Sequence, residues 1–264
     1  MEQLQLDTIY NESNLDTMRR MPDEFVDLTV TSPPYDNLRA YNGYSFDFEN
    51  VAKELYRVTK PGGVVVWVVG DATIDGSETG TSFKQALYFM ECGFNLHDTM
   101  IYQKEIPTWN QTSMRYRQTI EYMFILSKGR CKTFNPIRDV KVKNMQPRAC
   151  KSNRTGVAHY DMYVPKSEFT ARGNIWEYKV GSNAATDELA FQHPAIFPEM
   201  LAADHIRSWS NEGDLCYDPF MGSGTTAKMC VKLKRHYIGS EISAEYAELA
   251  RKRVWNEERQ PTLF

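Results

Sequence analysis

The sequence predicts an α/β fold, with a doubly wound, mostly parallel sheet and helices on both faces. Short β-rich runs alternate along the chain with helical patterns, which is the order that such a sheet requires. Val64–Val69 is continuously apolar, as expected of a strand that is covered on both faces. A glycine-containing turn joins a predicted strand to a predicted helix at Tyr217–Ala227. With 264 residues, of which 42% are hydrophobic, the chain can bury a substantial core.

The predicted elements follow from runs of β-formers, from helical spacing and from breakers. The predicted strands are Phe25–Ser32, Val64–Asp71, Thr119–Gly129, Asp214–Phe220 and His236–Ile242. The predicted helices are Phe46–Lys60, Ser82–Phe94, His193–Ser210, Thr225–Lys234 and Ser243–Glu258. Pro61-Gly62-Gly63 is a stop signal for the first helix. Pro194 suits a first-turn position, and Ser243 is expected to cap the last helix.

Basic residues are concentrated in one part of the chain. Lys128–Arg172 contains eleven Lys and Arg against three Asp and Glu, although the whole chain carries a net charge of −3. A basic segment in an otherwise acidic chain indicates a nucleic-acid partner, and a solvated lobe without a partner is the alternative. Because residues 130–174 are also polar and weakly periodic, we expect them to form an insertion or small lobe.

The cysteines and the apolar runs indicate a soluble protein of a reducing cytoplasm. The five cysteines are scattered and form no CxxC pair, so neither a disulfide framework nor a zinc site is indicated. Met1–Tyr10 lacks the pattern of a secretory signal. The longest purely apolar run, Val64–Val69, is too short to span a bilayer. We therefore expect no membrane partner and no bound metal.

The stretch YDPFMGSGTTA, Tyr217–Ala227, has the residues of a ligand-binding turn. Gly222 and Gly224 let the backbone approach a ligand closely, and a helix N-terminus follows near Thr225. An α/β sheet binds nucleotide-like ligands at such a turn, although many of these turns only connect a strand to a helix. Glu241 ends the next predicted strand, where a carboxylate can accept hydrogen bonds from ribose hydroxyls.

The stretch LTVTSPPYDN, Leu28–Asn37, ends a strand with two adjacent prolines. Pro33 and Pro34 lack a backbone donor and have a fixed φ, so the ladder stops there. The residue before each proline is also pushed towards extended geometry. The expected product is a stiff loop with an exposed carbonyl at Pro33, flanked by Ser32 and Tyr35. Such a loop is either a plain connection or the rigid wall of a reaction site.

These two stretches together resemble the motif pair of the DNA amino-methyltransferases, which use S-adenosylmethionine (SAM) to methylate an exocyclic amino group. SPPY precedes DPFMGSGT by roughly 180 residues, an order that resembles the circularly permuted β class of this family. ELYRVTKPGGVVVWVVGD, IEYMFILSKG and HPAIFPEML also resemble the family and occur in its order. The resemblance covers most of the chain and implies a Rossmann-like SAM-methyltransferase sheet with a small inserted target-recognition lobe.

The resemblance implies a role for each matched position. The residues implied to line the methionine side of SAM are Asp218, Phe220, Gly222, Ser223, Gly224 and Thr225. Glu241 is implied to hold the ribose and His193 to lie near the cofactor, with capping of a helix as the alternative for His193. The family commonly has a Gly-Asp pair before the SPPY strand, and its acid reaches the adenine. Here the sequence is YNES, so Glu12 is the nearest candidate.

The SPPY residues suit the chemistry that the resemblance implies. An exocyclic amino group is a poor nucleophile, because its lone pair is delocalised into the ring. The Ser32 hydroxyl and the Pro33 carbonyl are suitable acceptors for its two N–H bonds, in a geometry that Pro34 helps to fix. Tyr35 offers an aromatic face to a base, and the base must leave the duplex to reach such a pocket. Ser32, Pro33, Pro34 and Tyr35 are therefore the catalytic candidates.

A Ser at the first motif position resembles the cytosine-N4 enzymes of the family. The predicted activity is therefore SAM-dependent methylation of cytosine N4 in double-stranded DNA. An adenine-N6 enzyme of the same fold is the alternative, and a DNA-binding protein with an inactive cofactor pocket is a more remote one.

The resemblance divides the chain into three parts of one catalytic domain. These parts are 1–129 with TSPPY, the basic target-recognition insertion 130–174, and 175–264 with the SAM motif. The candidates for DNA contact are Arg39, Lys141, Lys143, Arg148, Lys151 and Arg154. Lys and Arg suit phosphates, whereas Asn144, Gln146 and Arg148 are suited to base edges.

The last five residues indicate a second partner. QPTLF, Gln260–Phe264, has a Gln…Leu-Phe spacing that resembles short peptides docking on the bacterial sliding clamp. A frayed tail is the alternative. The sequence leaves a homodimer open, and the resemblance implies a bacterial, archaeal or phage source.

Overall fold

The structure is a computed structural model. It describes residues 4–34, 46–105, 114–143, 145, 167–181, 184–193 and 195–259, together with the backbone of 148–152 and 159–163. The chain forms two compact units, one of residues 1–135 with 174–264 and the other of residues 136–173. Within the residues described, no helix has both the length and the apolar character needed to cross a membrane.

The larger unit alternates strands and helices. Its strands are β1 (Thr8–Tyr10), β2 (Val26–Thr31), β3 (Thr59–Val69), β4 (Thr73–Ile74), β5 (Ser77–Glu78), β6 (Asn95–Glu105), β7 (Ile120–Ser127), β12 (Ile175–Lys179), β13 (Leu215–Asp218) and β14 (His236–Ser240). Its helices are α1 (Asn14–Arg20), α2 (Phe48–Val58), α3 (Thr81–Glu91), the 3-10 helix Glu188–Gln192, α4 (Glu199–Trp209), α5 (Thr225–Lys232) and α6 (Ala244–Glu258). The smaller unit contains β8 (Arg138–Lys141), β9 (Arg148–Ser152), β10 (His159–Tyr163) and β11 (Phe169–Ala171).

The central sheet has the strand order β1-β14-β13-β2-β3-β7-β6-β12. Neighbouring strands are parallel except around β7, which is antiparallel to both β3 and β6. Alternate residues of β3 face opposite sides of the sheet. Both sets are buried, and they are Val64, Val66 and Val68 on one side and Val65, Trp67 and Val69 on the other. Helices therefore cover both faces, and the predicted mostly parallel α/β fold is confirmed.

Several predicted element ends are confirmed. Ser243 accepts the backbone N–H of Tyr246 and caps α6, as predicted. Pro61-Gly62-Gly63 follows the end of α2, as predicted, and lies inside β3. Gly62 has a φ of 82° and donates its N–H to the Lys128 carbonyl at 2.7 Å. The glycine pair therefore forms a bulge that carries the chain directly from helix to strand.

The helix predicted over His193–Ser210 begins six residues later, so that prediction was wrong at its N-terminal end. Pro198 is the N-cap of α4. A proline disfavours helical backbone in the residue before it, so Phe197 cannot easily continue a helix. His193 instead follows the 3-10 helix and is its C-cap.

Three strands of the sheet are not predicted by the sequence. β1 has only three residues. β6 carries exposed polar side chains along most of its length, including His97, Asp98 and Gln103. β12 buries only Trp176 and Tyr178, in alternation with exposed residues. Short or one-sided strands give a weaker signal than the continuously apolar β3, because fewer of their residues are apolar.

The smaller unit, 136–173, consists of two antiparallel pairs, β8 with β11 and β9 with β10. Within it, Arg172 pairs with Asp139, with Nη2 and Oδ2 2.5 Å apart. The larger unit fixes the two residues that flank this segment. The Asn135 amide donates to the Arg207 carbonyl at 3.2 Å, and the Asn174 amide donates to the Thr99 carbonyl at 3.2 Å.

Phe89→Ala is expected to lower the free energy of unfolding by about 3–5 kcal/mol, because its buried ring leaves a cavity. The ring packs against Trp67 at 5.0 Å and against Phe48 at 5.4 Å between centroids. Urea denaturation followed by circular dichroism measures the change. Leu87→Ala on the same helix is the control, since Leu87 is 59% exposed, and less than about 1 kcal/mol is expected there. Equal losses would contradict the packing of α3.

Candidate active site

The two motifs singled out in the sequence lie at the ends of adjacent parallel strands. β2 pairs with β13, so both motifs leave the sheet at the same edge. The Thr31 hydroxyl donates to Asp218 Oδ1 at 2.6 Å, and the Thr226 hydroxyl donates to the Val30 carbonyl at 3.2 Å. The structure thus brings Ser32–Pro34 next to the glycine turn that follows β13.

Asp218 is a buried carboxylate at the end of β13, only 4% exposed. Its Oδ1 accepts hydrogen bonds from the Thr31 hydroxyl and from the backbone N–H of Phe220, the latter at 3.0 Å. Burial raises the pKa of Asp218 to about 6, with the charge of Glu241 acting in the same direction and the hydrogen bonds acting against it. The carboxylate is therefore ionised at neutral pH at a cost to folding.

The turn after Asp218 requires glycine at two positions. Gly222 and Gly224 have φ values of 52° and 82°, in the left-handed region. A Cβ on Gly224 would lie 2.7 Å from the Cβ of Ala250, so a side chain would also clash with α6. The N–H of Gly224 donates to the Met221 carbonyl at 2.8 Å, and α5 begins at the next residue. The turn is thereby held close against α6.

Glu241 follows β14 and holds the same turn. Its Oε2 accepts the backbone N–H of Gly222 and its Oε1 that of Ser243, both at 2.8 Å. Burial raises the pKa of Glu241, and these backbone hydrogen bonds act against the rise. Each carboxylate oxygen offers two lone pairs, so Glu241 keeps the capacity to accept hydrogen bonds from a ligand.

Glu12 lies just beyond β1, next to the end of β14. The backbone N–H of Glu241 donates to the Tyr10 carbonyl at 2.9 Å, which joins the two strand ends. Glu12 accepts the Thr17 hydroxyl at 2.7 Å and pairs with Arg20. The carboxylates of Glu12, Glu241 and Asp218 thus follow three neighbouring strands at one edge.

His193 is buried beside the glycine turn. A Cβ on Gly222 would lie 3.2 Å from His193 Nε2. The imidazole packs edge-on against Tyr246, with 4.4 Å between ring centroids, and its Nδ1 accepts the backbone N–H of Ala195 at 3.1 Å. The structure thus places the His193 ring beside the glycine turn.

The TSPPY motif is partly enclosed. Pro33 is buried, whereas Ser32 and Pro34 are partly buried. Tyr35 lies outside the described residues. The described chain resumes at Phe46, whose ring packs edge-on against Phe220 with 5.1 Å between centroids. Pro34 and Phe46, the described residues on either side of 35–45, therefore both lie near the glycine turn.

The candidate DNA contacts belong to the smaller unit or to segments outside the description. Lys141 and Lys143 are exposed, at and just after the end of β8. Arg148 and Lys151 lie on β9. Arg39 and Arg154 lie outside the described residues, as do Asn144 and Gln146.

Residues 26–252 match the model of a family described as DNA methylase, of the N6/N4 methyltransferase type. The chain belongs to this DNA methylase family. The predicted membership is thereby confirmed. The family uses SAM as its methyl donor.

One curated relative and two solved structures illustrate what this DNA methyltransferase is similar to. The orphan methyltransferase M.BamHII of Bacillus amyloliquefaciens is 58% identical over 238 residues, which cover 88% of this chain and 89% of that protein. The PvuII DNA methyltransferase (cytosine-N4-specific) has a TM-score of 0.69 at 20% identity, covering 95% of this chain and 87% of that one. The M1.HpyAVI–SAM complex has a TM-score of 0.61 at 22% identity, covering 94% and 98%. These two structures show the fold.

The residues at the sheet edge fit the methyl donor chemically. SAM carries a positive sulfonium and, at neutral pH, a positive ammonium group, and it also carries ribose hydroxyls and an adenine amino group. Asp218 and Glu241 supply carboxylates that complement positive charge. Glu12 is paired with Arg20, and its carboxylate oxygens keep lone pairs that can accept hydrogen bonds from an amino group. The glycine turn supplies a backbone without side chains that would block an approaching ligand.

Thr31 is a site residue that the motif analysis does not single out. Its hydroxyl matters only because β2 lies next to β13, and that pairing joins residues 187 positions apart. A signal was available in principle, because the ends of adjacent parallel strands meet at one sheet edge. It becomes usable only after the strand order is known.

Asp218→Asn is expected to stabilise the fold at alkaline pH relative to acidic pH. The folded-state pKa of Asp218, about 6, lies above its usual value of 3.8. The protonated carboxyl group therefore contributes to the free energy of unfolding in full below pH 3.8, and this contribution is lost as the pH rises through 6. The variant lacks this loss. Its free energy of unfolding minus that of the wild type should therefore increase by about 2–3 kcal/mol between pH 4 and pH 8. Urea denaturation at several pH values measures the difference.

Asp187→Asn is the control with the opposite sign. Burial acts to raise the pKa of Asp187, but hydrogen bonds from Arg253 and Lys228 outweigh it and lower the pKa to about 2. Its stabilising contribution is therefore present above the usual pKa and lost only as the pH falls towards 2. The asparagine variant should be destabilised by the same amount throughout pH 5 to 8. A flat difference for Asp218→Asn as well would contradict the assigned burial of that charge.

Proposed function

We propose that this DNA methyltransferase methylates the N4 amino group of a flipped-out cytosine in double-stranded DNA. The observation that carries the proposal is the 2.6 Å hydrogen bond between Thr31 and Asp218. It joins the strand that ends in Ser32 to the strand that ends in the glycine turn. In doubly wound sheets, ligands bind outside the carboxyl ends of the strands, where both segments lie.

We assign the cofactor to the turn after β13 and to the carboxylates beside it. The residues assigned to its methionine part are Asp218, Phe220, Gly222, Ser223, Gly224 and Thr225. Glu241 is assigned to the ribose hydroxyls, Glu12 to the adenine amino group, and His193 to a place beside the turn. When bound, the cofactor supplies an electrophilic methyl group on a sulfonium.

Ser32 and Pro33 are assigned to the amino group of the base. The Ser32 hydroxyl and the Pro33 carbonyl accept its two N–H bonds, which draws the nitrogen lone pair out of conjugation and towards the methyl group. The fixed φ of Pro33 and Pro34 sets this geometry before the base arrives. Serine is a weak base, so one amino proton leaves to solvent after the transfer. Tyr35 is assigned to stacking on the flipped base.

Ser32 favours cytosine, since a serine at this motif position resembles the cytosine-N4 enzymes. The test is to incubate the purified protein with unmethylated DNA and SAM, digest the DNA to nucleosides and identify the product by mass spectrometry. N4-methylcytosine is expected. N6-methyladenine alone would overturn the cytosine assignment, and the absence of any methylated nucleoside would favour a DNA-binding protein without activity.

Two variants separate the assigned roles in the same assay. Pro34→Ala should abolish methyl transfer while SAM affinity, measured by isothermal titration calorimetry, changes by less than about threefold, because the amine acceptors lose their fixed geometry. Asp218→Ala should weaken SAM binding itself. Equal effects of the two changes on SAM affinity would contradict this division.

We also propose that the basic segment of the smaller unit contacts the DNA. Lys141 and Lys143 are exposed on it, and both suit phosphate oxygens. Arg148, Lys151 and Arg154 belong to the same basic segment of the sequence and are assigned to DNA contact from their sequence positions alone. Arg39, which follows the SPPY motif in the sequence, is assigned in the same way to a second DNA contact. Gln260–Phe264 lies outside the described residues, so docking on the sliding clamp stays a prediction, as does a homodimer.

Lys141→Ala with Lys143→Ala should weaken DNA binding and flatten its salt dependence. Each lost phosphate contact reduces the slope of log K against log salt by about 0.9, so a reduction of about two is expected. Fluorescence anisotropy at four salt concentrations measures the slope. The matched control replaces Lys84 and Lys252, two exposed lysines of the larger unit, and should leave the slope unchanged. An equal change in the control would refute the assigned surface.

A further inference from the structure

The side of the glycine turn that faces the protein interior rests on a buried arginine. Arg253, on α6, is only 1% exposed. Its Nη1 donates to the Ser223 carbonyl at 2.6 Å, to the Ser223 hydroxyl at 3.1 Å and to the Thr225 hydroxyl at 3.2 Å. One guanidinium group therefore holds both the backbone and the side chains of the turn.

The remaining donors of Arg253 bind two carboxylates. Nε donates to Asp187 Oδ1 and Oδ2 at 3.0 and 3.1 Å, and Nη2 donates to Asp187 Oδ2 at 3.0 Å. Nη2 also donates to Glu199 Oε1 at 2.9 Å. A guanidinium group has five N–H donors, and each finds an acceptor here. Arg253 therefore has no donor left for a ligand and acts through the residues that it holds.

A second cation completes the cluster. Lys228 on α5 donates to Asp187 Oδ2 and Glu199 Oε1, both at 2.7 Å. Two cations and two carboxylates are thus joined by hydrogen bonds in a site where an unpaired charge would cost several kcal/mol. A third carboxylate, that of Glu257, lies 3.9 Å from Lys228 Nζ. The pKa of Asp187, about 2, keeps this carboxylate ionised at every pH at which the protein would be assayed.

The cluster also fixes the segment that approaches the turn from the other side. Asp187 Oδ1 accepts the backbone N–H of Ala190 and caps the 3-10 helix that ends at His193. The His193 ring then lies against Gly222. Arg253 therefore supports the turn directly through Ser223 and Thr225, and it supports Gly222 through Asp187 and the 3-10 helix.

We infer that Arg253 is a positioning residue for SAM binding, which sets the shape of the 222–225 turn without contacting the cofactor. This inference rests on the assignment of that turn to the cofactor. A turn with two left-handed glycines has many alternative conformations, and the three hydrogen bonds from Arg253 Nη1 to Ser223 and Thr225 select one of them. The role requires the planar fork of arginine, because lysine has three donors on a single atom and cannot reach the turn and both carboxylates together.

The test is Arg253→Lys, with Arg57→Lys as the matched control. Arg57 likewise binds backbone carbonyls, those of Met18 and Met21, and a carboxylate, that of Glu54, but on α1 and α2 rather than on the turn. Arg253→Lys should raise the dissociation constant and the KM for SAM at least about tenfold while leaving the KM for DNA within about twofold. Arg57→Lys should lower the melting temperature without changing either constant for SAM.

Asp187→Asn keeps the inference testable if Arg253→Lys does not fold. This change removes the charge of a carboxylate that holds Arg253, while the guanidinium group itself stays in place. A rise of about threefold in the dissociation constant for SAM is expected. Unchanged SAM affinity in whichever of these variants folds, or an equal loss in Arg57→Lys, would overturn the inference. A wild-type protein that binds no SAM would instead overturn the proposed function, so the two failures are distinguishable.

Discussion

The hydrogen bond between Thr31 and Asp218 is the contact on which the arrangement of the site depends. It joins residues 187 positions apart in the sequence, and it exists because β2 and β13 are parallel neighbours in the sheet. Parallel pairing sends both chains out at the same edge, so the rigid Pro-Pro loop and the glycine turn start from adjacent points. An antiparallel pairing of the same two strands would have sent them to opposite edges.

Asp218 and Asp187 show how the surroundings of a carboxylate decide its ionisation. Asp218 has no cation among its hydrogen-bond donors, and burial raises its pKa to about 6. Asp187 is also partly buried, but Arg253 and Lys228 lower its pKa to about 2. The first arrangement leaves a negative charge that a cationic ligand can compensate. The second is already compensated within the protein, so it serves the shape of the turn rather than ligand binding.

The sequence predicted the parts of this structure that have a local signature. The apolar run of β3, the proline pair after β2 and the glycines of the 222–225 turn each specify backbone geometry within a few residues. The end of the β14 strand predicted a place for Glu241, and family resemblance added the expected role of Glu12. Strands with one buried face, such as β6 and β12, have no comparable local signature. The same holds for the start of α4, which follows Pro198 rather than beginning at the predicted position near Pro194.

Arg253 illustrates why the supporting residues of the site could not be predicted. In the sequence it is one of several charged residues in the amphipathic stretch SAEYAELARKRV, where a solvated position is the default expectation for arginine. Its burial follows from three separate facts of the fold, namely the packing of α6 on the turn, the carboxylate at the start of α4 and the position of Asp187 before the 3-10 helix. None of these is local to α6. A residue whose partners come from three other segments acquires its role only from the assembled fold.

The candidate site and the segment proposed to recognise DNA belong to different units of the chain. The hydrogen bonds described above for the site join β1, β2, β13, β14 and the helices around them, and all of those elements belong to the larger unit. Residues 136–173 follow Asn135 and precede Asn174, which both belong to the larger unit. The side-chain amides of Asn135 and Asn174 donate hydrogen bonds to backbone carbonyls of that unit. Changes of side chain within 136–173 therefore leave the bonds that shape the site intact. Under the proposed assignment of 136–173 to DNA recognition, target preference can vary on one unit while the bonds that shape the candidate site are kept by the other.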